Sequence, residues 1–433
     1  MASIRLERLA AYVSTTRNKR HNVNSENRYK AELGAPISGS YHVLYPVKFN
    51  DGVSWLLKVP ANGTRNRFQD SDARALRSEA LTMRLLRSET TIPLPDVFAF
   101  SDTCDNELNC PFILMDYIQG VSLYKVWFDR TSTEDLVRAR RIRCLKDLAA
   151  AMAQLNRFSF NQGGSLVFDD RGCLEGVGPL RQVDRVAMLE RYGDNDDSTV
   201  YLETGPFSHP EEYYTALLGC QCRPETSLDV GMLKLLRTLI SWIPERDGEN
   251  AFVLAHADYN FQNVLVSEDG ALQAIIDWDG VGAVPRSVGC ERLPSWLTCD
   301  WNSPMYSWKE DMERDTTPWG VWEDSPGTLK MYRSAYAGFI ASHLSEGAQG
   351  SMNLTNNSLI CESLLKAVND PLCTVEVLEN IFRGIVQHVA SPSAKGFNFT
   401  NVCWALGKGR LSEYHWECLR LGFNALLKQS NGL

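Results

Sequence analysis

The chain has 433 residues, 12 cysteines, a formal net charge of −9 and 44% hydrophobic residues. That is enough apolar material for a sizeable core in two or three domains. No stretch reaches about 18 uncharged apolar residues, so no membrane-spanning helix is expected. The acidic balance leaves no footprint for nucleic acid. The cysteines sit mostly in apolar surroundings, as Cys144, Cys361, Cys373, Cys403 and Cys418 do, which fits reduced thiols and a cytoplasmic location. Cys220-Gln-Cys222 has no second pair at zinc-ligand spacing.

Residues 1–27 are polar and basic and read as a helix plus a mobile arm. Arg5, Arg8, Arg17 and Lys19 with little acid leave a mitochondrial leader as the alternative, against which stand Glu7 and the missing apolar stretch of a secretory signal. Tyr41 to Phe49 and Val53 to Val59 read as strands joined by the hairpin turn Asn50-Asp-Gly52. Ala73 to Ser88 has helical periodicity, and Ile92-Pro-Leu-Pro95 ends it. Val97 to Phe100 and Pro111 to Tyr117 are two more strands. Asp135 to Phe158 reads as a long amphipathic helix capped near Ser132, and 163–205 as irregular and turn-rich. Asp194 to Asp197 is acidic but lacks the glycine and terminal glutamate of an EF-hand loop, and reads as a surface turn. Val230 to Ile243 is a further helix. Phe252 to Ala255, Val264 to Val266 and Leu272 to Ile276 are short apolar strands, and helices dominate from Met331 onward.

The chemistry concentrates between those short strands. His256-Ala-Asp258 runs on to Asn263, and fourteen residues later a strand ends at Asp277 in Ile276-Asp-Trp-Asp279. Phosphoryl transfer from ATP needs a carboxylate beside the acceptor hydroxyl and oxygen ligands for magnesium beside the phosphates. Asp258 is expected to orient the hydroxyl, Asn263 and Asp277 to ligate Mg2+, and His256 to fix the loop through the backbone. Upstream, Lys58 ends an apolar strand. A surface lysine is the ordinary reading, but Glu79 lies on the apolar stripe Leu76, Ala80, Met83, Leu86 and needs a cationic partner there. The two together are expected to hold the nucleotide phosphates. Gly39 and Ser40 precede the first strand and fit a phosphate lid or a plain structural turn. Met115 to Tyr117 would link the lobes and offer backbone groups to adenine. The expected fold is α+β and two-lobed, protein-kinase-like: an N-terminal helix or arm (1–27), a small β-rich N-lobe (28–117) and a large, mainly helical C-lobe (118–433).

These residues resemble the aminoglycoside phosphotransferase and choline kinase superfamily, whose catalytic loop runs H-G-D-x-x-x-x-N with I-D-W after it. Ala257 replaces the glycine. Trp278-Asp-Gly-Val281, Val284-Pro-Arg286 and Leu293-Pro-Ser-Trp-Leu297 are similar to a fungal branch of it, as are Gly163-Gly-Ser-Leu166 and Gly176-Val-Gly-Pro-Leu180. The resemblance implies an ATP-dependent small-molecule kinase, a monomer or homodimer. A protein kinase is the nearest alternative, opposed by Asp277-Trp-Asp in place of Asp-Phe-Gly and by the missing Ala-Pro-Glu segment. A non-catalytic nucleotide-binding protein is the other, opposed by the retention of Lys58, Glu79, Asp258, Asn263 and Asp277. Past the metal aspartate, six large aromatics and eight acids crowd residues 287–326. Aromatic faces with carboxylates suit a cationic amine, so Asp279, Trp296, Trp301, Glu310 and Asp311 are the expected acceptor pocket. Solvated acids above packed aromatics are the other reading of that segment.

Overall fold

The computed structural model describes residues 4–22, 28–190, 200–219, 224–245, 250–301, 306–314, 321–344, 348–389 and 396–429. Cys220-Gln-Cys222 and the acidic turn at Asp194 lie outside them. Helix α1 (Leu6–Arg20) buries Leu9, Val13 and Arg17, one face at a spacing of four. It lies on a sheet of β1 (Ala31–Leu33), β2 (Ile37–Ser38), β3 (His42–Phe49), β4 (Ser54–Pro60), and, after helix α2 (Asp70–Glu89), β5 (Val97–Ser101) and β6 (Phe112–Asp116). The order is β1-β3-β4-β6-β5 with β2 on β3, and every pairing is antiparallel. Strand parity sets the two faces. Val43, Tyr45 and Val47 of β3 and Trp55, Leu57 and Val59 of β4 pack with α1. The alternate residues His42, Leu44, Leu56 and Lys58 therefore face the other way, toward the second lobe. Arg17 seals the helix to the β3–β4 turn: it donates twice to Asp51 at 2.8 Å and stacks on Tyr29 and Phe49.

The second lobe opens with β7 (Val121–Ser122), α3 (Leu123–Trp127) and α4 (Glu134–Ala153), the last with Thr133 at its N-cap position and ending in a 3-10 turn, Gln154–Arg157. Next come β8 (Ser159–Phe160), β9 (Gly164–Phe168), β10 (Leu174–Gly178), β11 (Leu180–Val183), α5 (Arg185–Glu190), β12 (Tyr201–Thr204), α6 (Pro210–Thr215) and α7 (Ser227–Ser241). The catalytic segment runs through β13 (Phe252–Ala255), β14 (Val264–Val266), β15 (Leu272–Ile275) and β16 (Gly282–Pro285), and α8 (Pro326–His343), α9 (Ala348–Asn369), α10 (Thr374–His388), α11 (Phe399–Gly407) and α12 (Glu413–Gln429) complete the lobe. Residues 163–205, expected to be irregular, hold two antiparallel strand pairs, β9–β10 and β11–β12. Two of the glycines here, Gly163 and Gly164, allow close approach. Gly164 has φ +147°, and a Cβ on it would meet Gly178 O at 2.1 Å.

Two apolar cores fill this lobe. One joins Trp127, Leu148, Tyr259, Trp278 and Tyr336 around the catalytic strands; the other joins Leu235, Leu364, Ile381 and Phe423 of the C-terminal helices. The ten described cysteines are free thiols, most of them buried. Among the described residues no helix is long and apolar enough to cross a membrane.

Candidate active site

The catalytic loop is held by its own ends. His256 is fully buried; its Nε2 donates to Ile276 O (3.0 Å), and its Nδ1 accepts from Asp258 N (3.2 Å). Acceptance at Nδ1 needs a neutral ring. Burial, with Arg292 and Lys58 nearby, pushes its pKa down to about 4. Trp278 packs edge-on against that ring and ties its indole Nε1 to Ile275 O. Asn263 Nδ2 donates to both Asp258 O and Asp258 Oδ2 at 2.9 Å. One carboxylate oxygen of the exposed Asp258 is thus fixed, and the other faces outward. Arg292, which the sequence reading passed over, donates to His256 O (2.8 Å) and pairs with Glu362 of α9 (2.7 Å). It braces the loop from behind.

Lys58 Nζ stands 2.7 Å from Glu79 Oε1 and 2.7 Å from Asp277 Oδ1. Burial opposes the ammonium, yet the two carboxylates outweigh it and hold Lys58 protonated. Burial raises Glu79 to about 7 against the pull of Lys58. Burial would also raise Asp277, but Lys58 takes it down to about 2. Asp277 sits at φ +59°, a left-handed conformation that aspartate tolerates at a cost of about 1–3 kcal/mol. Asp279, two residues on with the buried Trp278 between, points back to the same place. It lies 3.5 Å from Arg181 Nη2 and 3.9 Å from His42 Nε2. Asp279 therefore lines the cleft at Lys58 and is not among the walls of the larger cavity beside the catalytic loop. Burial and then Lys58 push His42 down to about 4, so it adds no charge near neutral pH. Two cations, Lys58 and Arg181, face four carboxylates, Asp72, Glu79, Asp277 and Asp279. That surplus of negative charge suits a divalent cation arriving with phosphates.

Other expected contacts shift. Gly39 N–H is bonded to His42 O (2.9 Å), and Gly39 and Ser40 are exposed in the β2–β3 turn. Their neighbours Tyr41 and His42 line the cleft beside Lys58. Met115 is buried in the β6 ladder, and Tyr117 N–H is bonded to Ser54 O (3.2 Å).

A cavity of about 910 Å³ opens beside Asn260, Phe261 and Gln262 of the catalytic loop. Its walls include Tyr124, Trp296, Trp322 and Glu323. Trp296 stacks on Phe261 at 4.6 Å. Trp301 packs away from it among the helices, and Glu310 and Asp311 sit exposed in a 3-10 turn outside it. Of this segment's acids, Glu323 and Asp324 at its other end line the cavity, together with Glu362 and Asp370 and the cations Arg185, Arg292 and Lys366 from elsewhere. The aromatic-plus-acid pattern could not say which acids a turn would face outward.

Among proteins of known sequence, the chain is 29% identical over 159 residues to "Altered inheritance of mitochondria protein 9, mitochondrial" of Candida albicans (strain SC5314), covering 36% of this chain and 24% of that one. The Kluyveromyces lactis protein of the same name is 24% identical over 347 residues, covering 67% and 54%. The chain thus spans between about a quarter and about half of the length of these relatives. Among solved structures it is similar to a macrolide 2'-phosphotransferase from Brachybacterium faecium (TM-score 0.41, 12% identity, 97% of this chain and 98% of that one). It is also similar to an ethanolamine kinase from Plasmodium vivax (TM-score 0.39, 12% identity, 94% and 89%). Residues 36–288, more than half of the chain, carry both Lys58–Glu79 and the Asp258–Asn263–Asp277 set and match a family model as a whole, so the chain belongs to the phosphotransferase enzyme family, APH.

Proposed function

We propose that the protein moves the γ-phosphoryl group of magnesium-bound ATP to a hydroxyl of a small molecule. The observation that carries this reading is the meeting of Lys58 and Asp277, 219 residues apart in the chain and 2.7 Å apart in the fold, beside the Asp258–Asn263 pair. Asp277 and the Asn263 amide oxygen are hard oxygen donors of the kind magnesium takes. When bound, the ion supplies positive charge to the phosphoryl oxygens. Lys58, steadied by Glu79, adds its own charge to the α- and β-phosphates. The free oxygen of Asp258 accepts a hydrogen bond from the acceptor hydroxyl and takes its proton as the new O–P bond forms and the bond to ADP breaks.

A cavity of about 910 Å³ falls within the ~300–1,000 Å³ common for small ligands, which supports a small acceptor over a protein chain. Glu323 among Trp296, Trp322 and Tyr124 supports an amine on that acceptor. The names of the yeast relatives support the mitochondrial alternative of the two compartments. The test is label transfer from γ-labelled ATP across a panel of amine-bearing alcohols, with Asp258→Asn beside the wild type. The expected outcome is a labelled product and a loss of roughly 10²–10⁴-fold in the variant, at a Kd for Mg·ATP unchanged within about threefold. Transfer at the wild-type rate by Asp258→Asn would overturn the assignment.

A further inference from the structure

Arg181 stands on β11, in the segment the sequence reads as irregular, and its side chain is largely buried. Nη1 donates to Asp72 Oδ1 at 2.5 Å, and Nη2 lies 3.5 Å from Asp279 Oδ1. The Tyr201 ring of β12 covers the guanidinium at 4.0 Å. Each partner sits at a telling place. Asp72 is in the first turn of α2, where its Oδ2 also accepts from Gln69 N (3.0 Å) and Asn62 Nδ2 (2.9 Å). Glu79 follows seven residues later, about two helical turns, and so shares its face. Asp279 lies in the same loop as Asp277, between β15 and β16. One guanidinium thus joins the helix that positions Lys58 to the loop that offers the metal aspartate.

We infer that Arg181 is a positioning residue that holds α2 and the Asp277–Asp279 loop in the geometry competent for Mg·ATP. This rests on the reading of the cleft as a nucleotide site. The strand pair that supplies it also grips α2 where Arg74 pairs with Glu203 of β12 (2.6 Å), and the neighbouring β9–β10 pair does so where Arg77 donates to Asp169 O (2.7 Å) just after β9. These two are at least partly exposed, whereas Asp72 and Arg181 have side-chain exposures of 6% and 12%. Only the Arg181 contact reaches the metal loop. Planar, two-armed geometry suits arginine and not lysine, since one fork must serve two carboxylates on different elements.

The experiment is titration of Mg·ATP, and of ATP in EDTA, into wild type, Arg181→Met, Arg181→Lys and Arg74→Ala, with thermal unfolding of each free protein. The expected result is at least a tenfold weaker Kd for Mg·ATP in Arg181→Met, partial recovery in Arg181→Lys, and no change beyond twofold in Arg74→Ala. The ratio of Kd with and without magnesium should shrink in Arg181→Met, which a merely looser fold would not cause. A wild type that binds Mg·ATP while folded Arg181→Met and Arg181→Lys bind it equally well would overturn the inference. If Arg181→Met is unfolded, Arg181→Lys decides: wild-type affinity and wild-type magnesium dependence there refute the role. A wild type that fails to bind Mg·ATP at all refutes instead the reading of the cleft.

Discussion

At the scale of residues, a few buried charges set the behaviour of the site. Lys58 and Glu79 were legible together because strand parity and helical period both turn them inward, and neither is tolerable there alone. Removing one partner of a buried pair costs about 3–5 kcal/mol. Asp279 lies in a loop in which Asp277 takes φ +59°, a bend that residue spacing does not display, and there it meets Arg181 and His42. Arg181 and Arg292 carried no local signal, since each works through partners more than 30 residues away. His256 gives a pH prediction. Its pKa falls from 6.5 to about 4 on folding, so the unfolded chain binds the extra proton between those values. Stability must therefore rise with pH across that window, by up to about 3 kcal/mol from this residue. His42 shifts the same way and adds to the slope. In His256→Gln, which keeps a donor for Ile276 O, the denaturation midpoint measured from pH 4 to pH 6.5 should climb less steeply than in the wild type. An unchanged slope would mean that the His256 ring is not held neutral.

At the scale of elements, the long periodic segments were readable, and so were short strands made of unbroken apolar runs such as β13 and β14, whereas short strands of mixed composition were not. α2 and α4, of 20 residues each, show their stripes in the sequence. The four-residue strands β11 and β12 do not, because so few positions cannot display an alternation, and their neighbouring glycines look like turns. Helix packing shows the same limit. A Cβ on Gly231 of α7 would lie 1.6 Å from Cys403 O of α11, and one on Gly407 would lie 1.8 Å from Ser227 O. By propensity alone, alanine at Gly231 should help a helix by about 1 kcal/mol. Contact with a neighbouring backbone reverses the sign, at a cost of about 1–3 kcal/mol or more. Gly231→Ala should lower the urea midpoint with an unchanged m-value, and a variant as stable as wild type would show that α7 and α11 can separate without loss.

At the scale of the whole molecule, the two lobes meet at a seam of charge. Lys58 and Glu79 come from the sheet and helix of the first lobe, Asp277 and Asp279 from the second, and Arg181 from a strand pair that touches both. Among these charges the carboxylates outnumber the cations, a surplus that a divalent ion would offset. Mg·ATP binding should therefore stabilise the entire chain, with Asp277 as the coupling point. The direct test is thermal unfolding with and without Mg·ATP for wild type and Asp277→Ala. Ligand at a hundred times its Kd should add about 2.7 kcal/mol, a shift of a few degrees for a chain of this length. The account predicts a magnesium-dependent rise in Tm for the wild type that disappears in Asp277→Ala. No rise in the wild type at millimolar nucleotide, or an equal rise in both proteins, would contradict it.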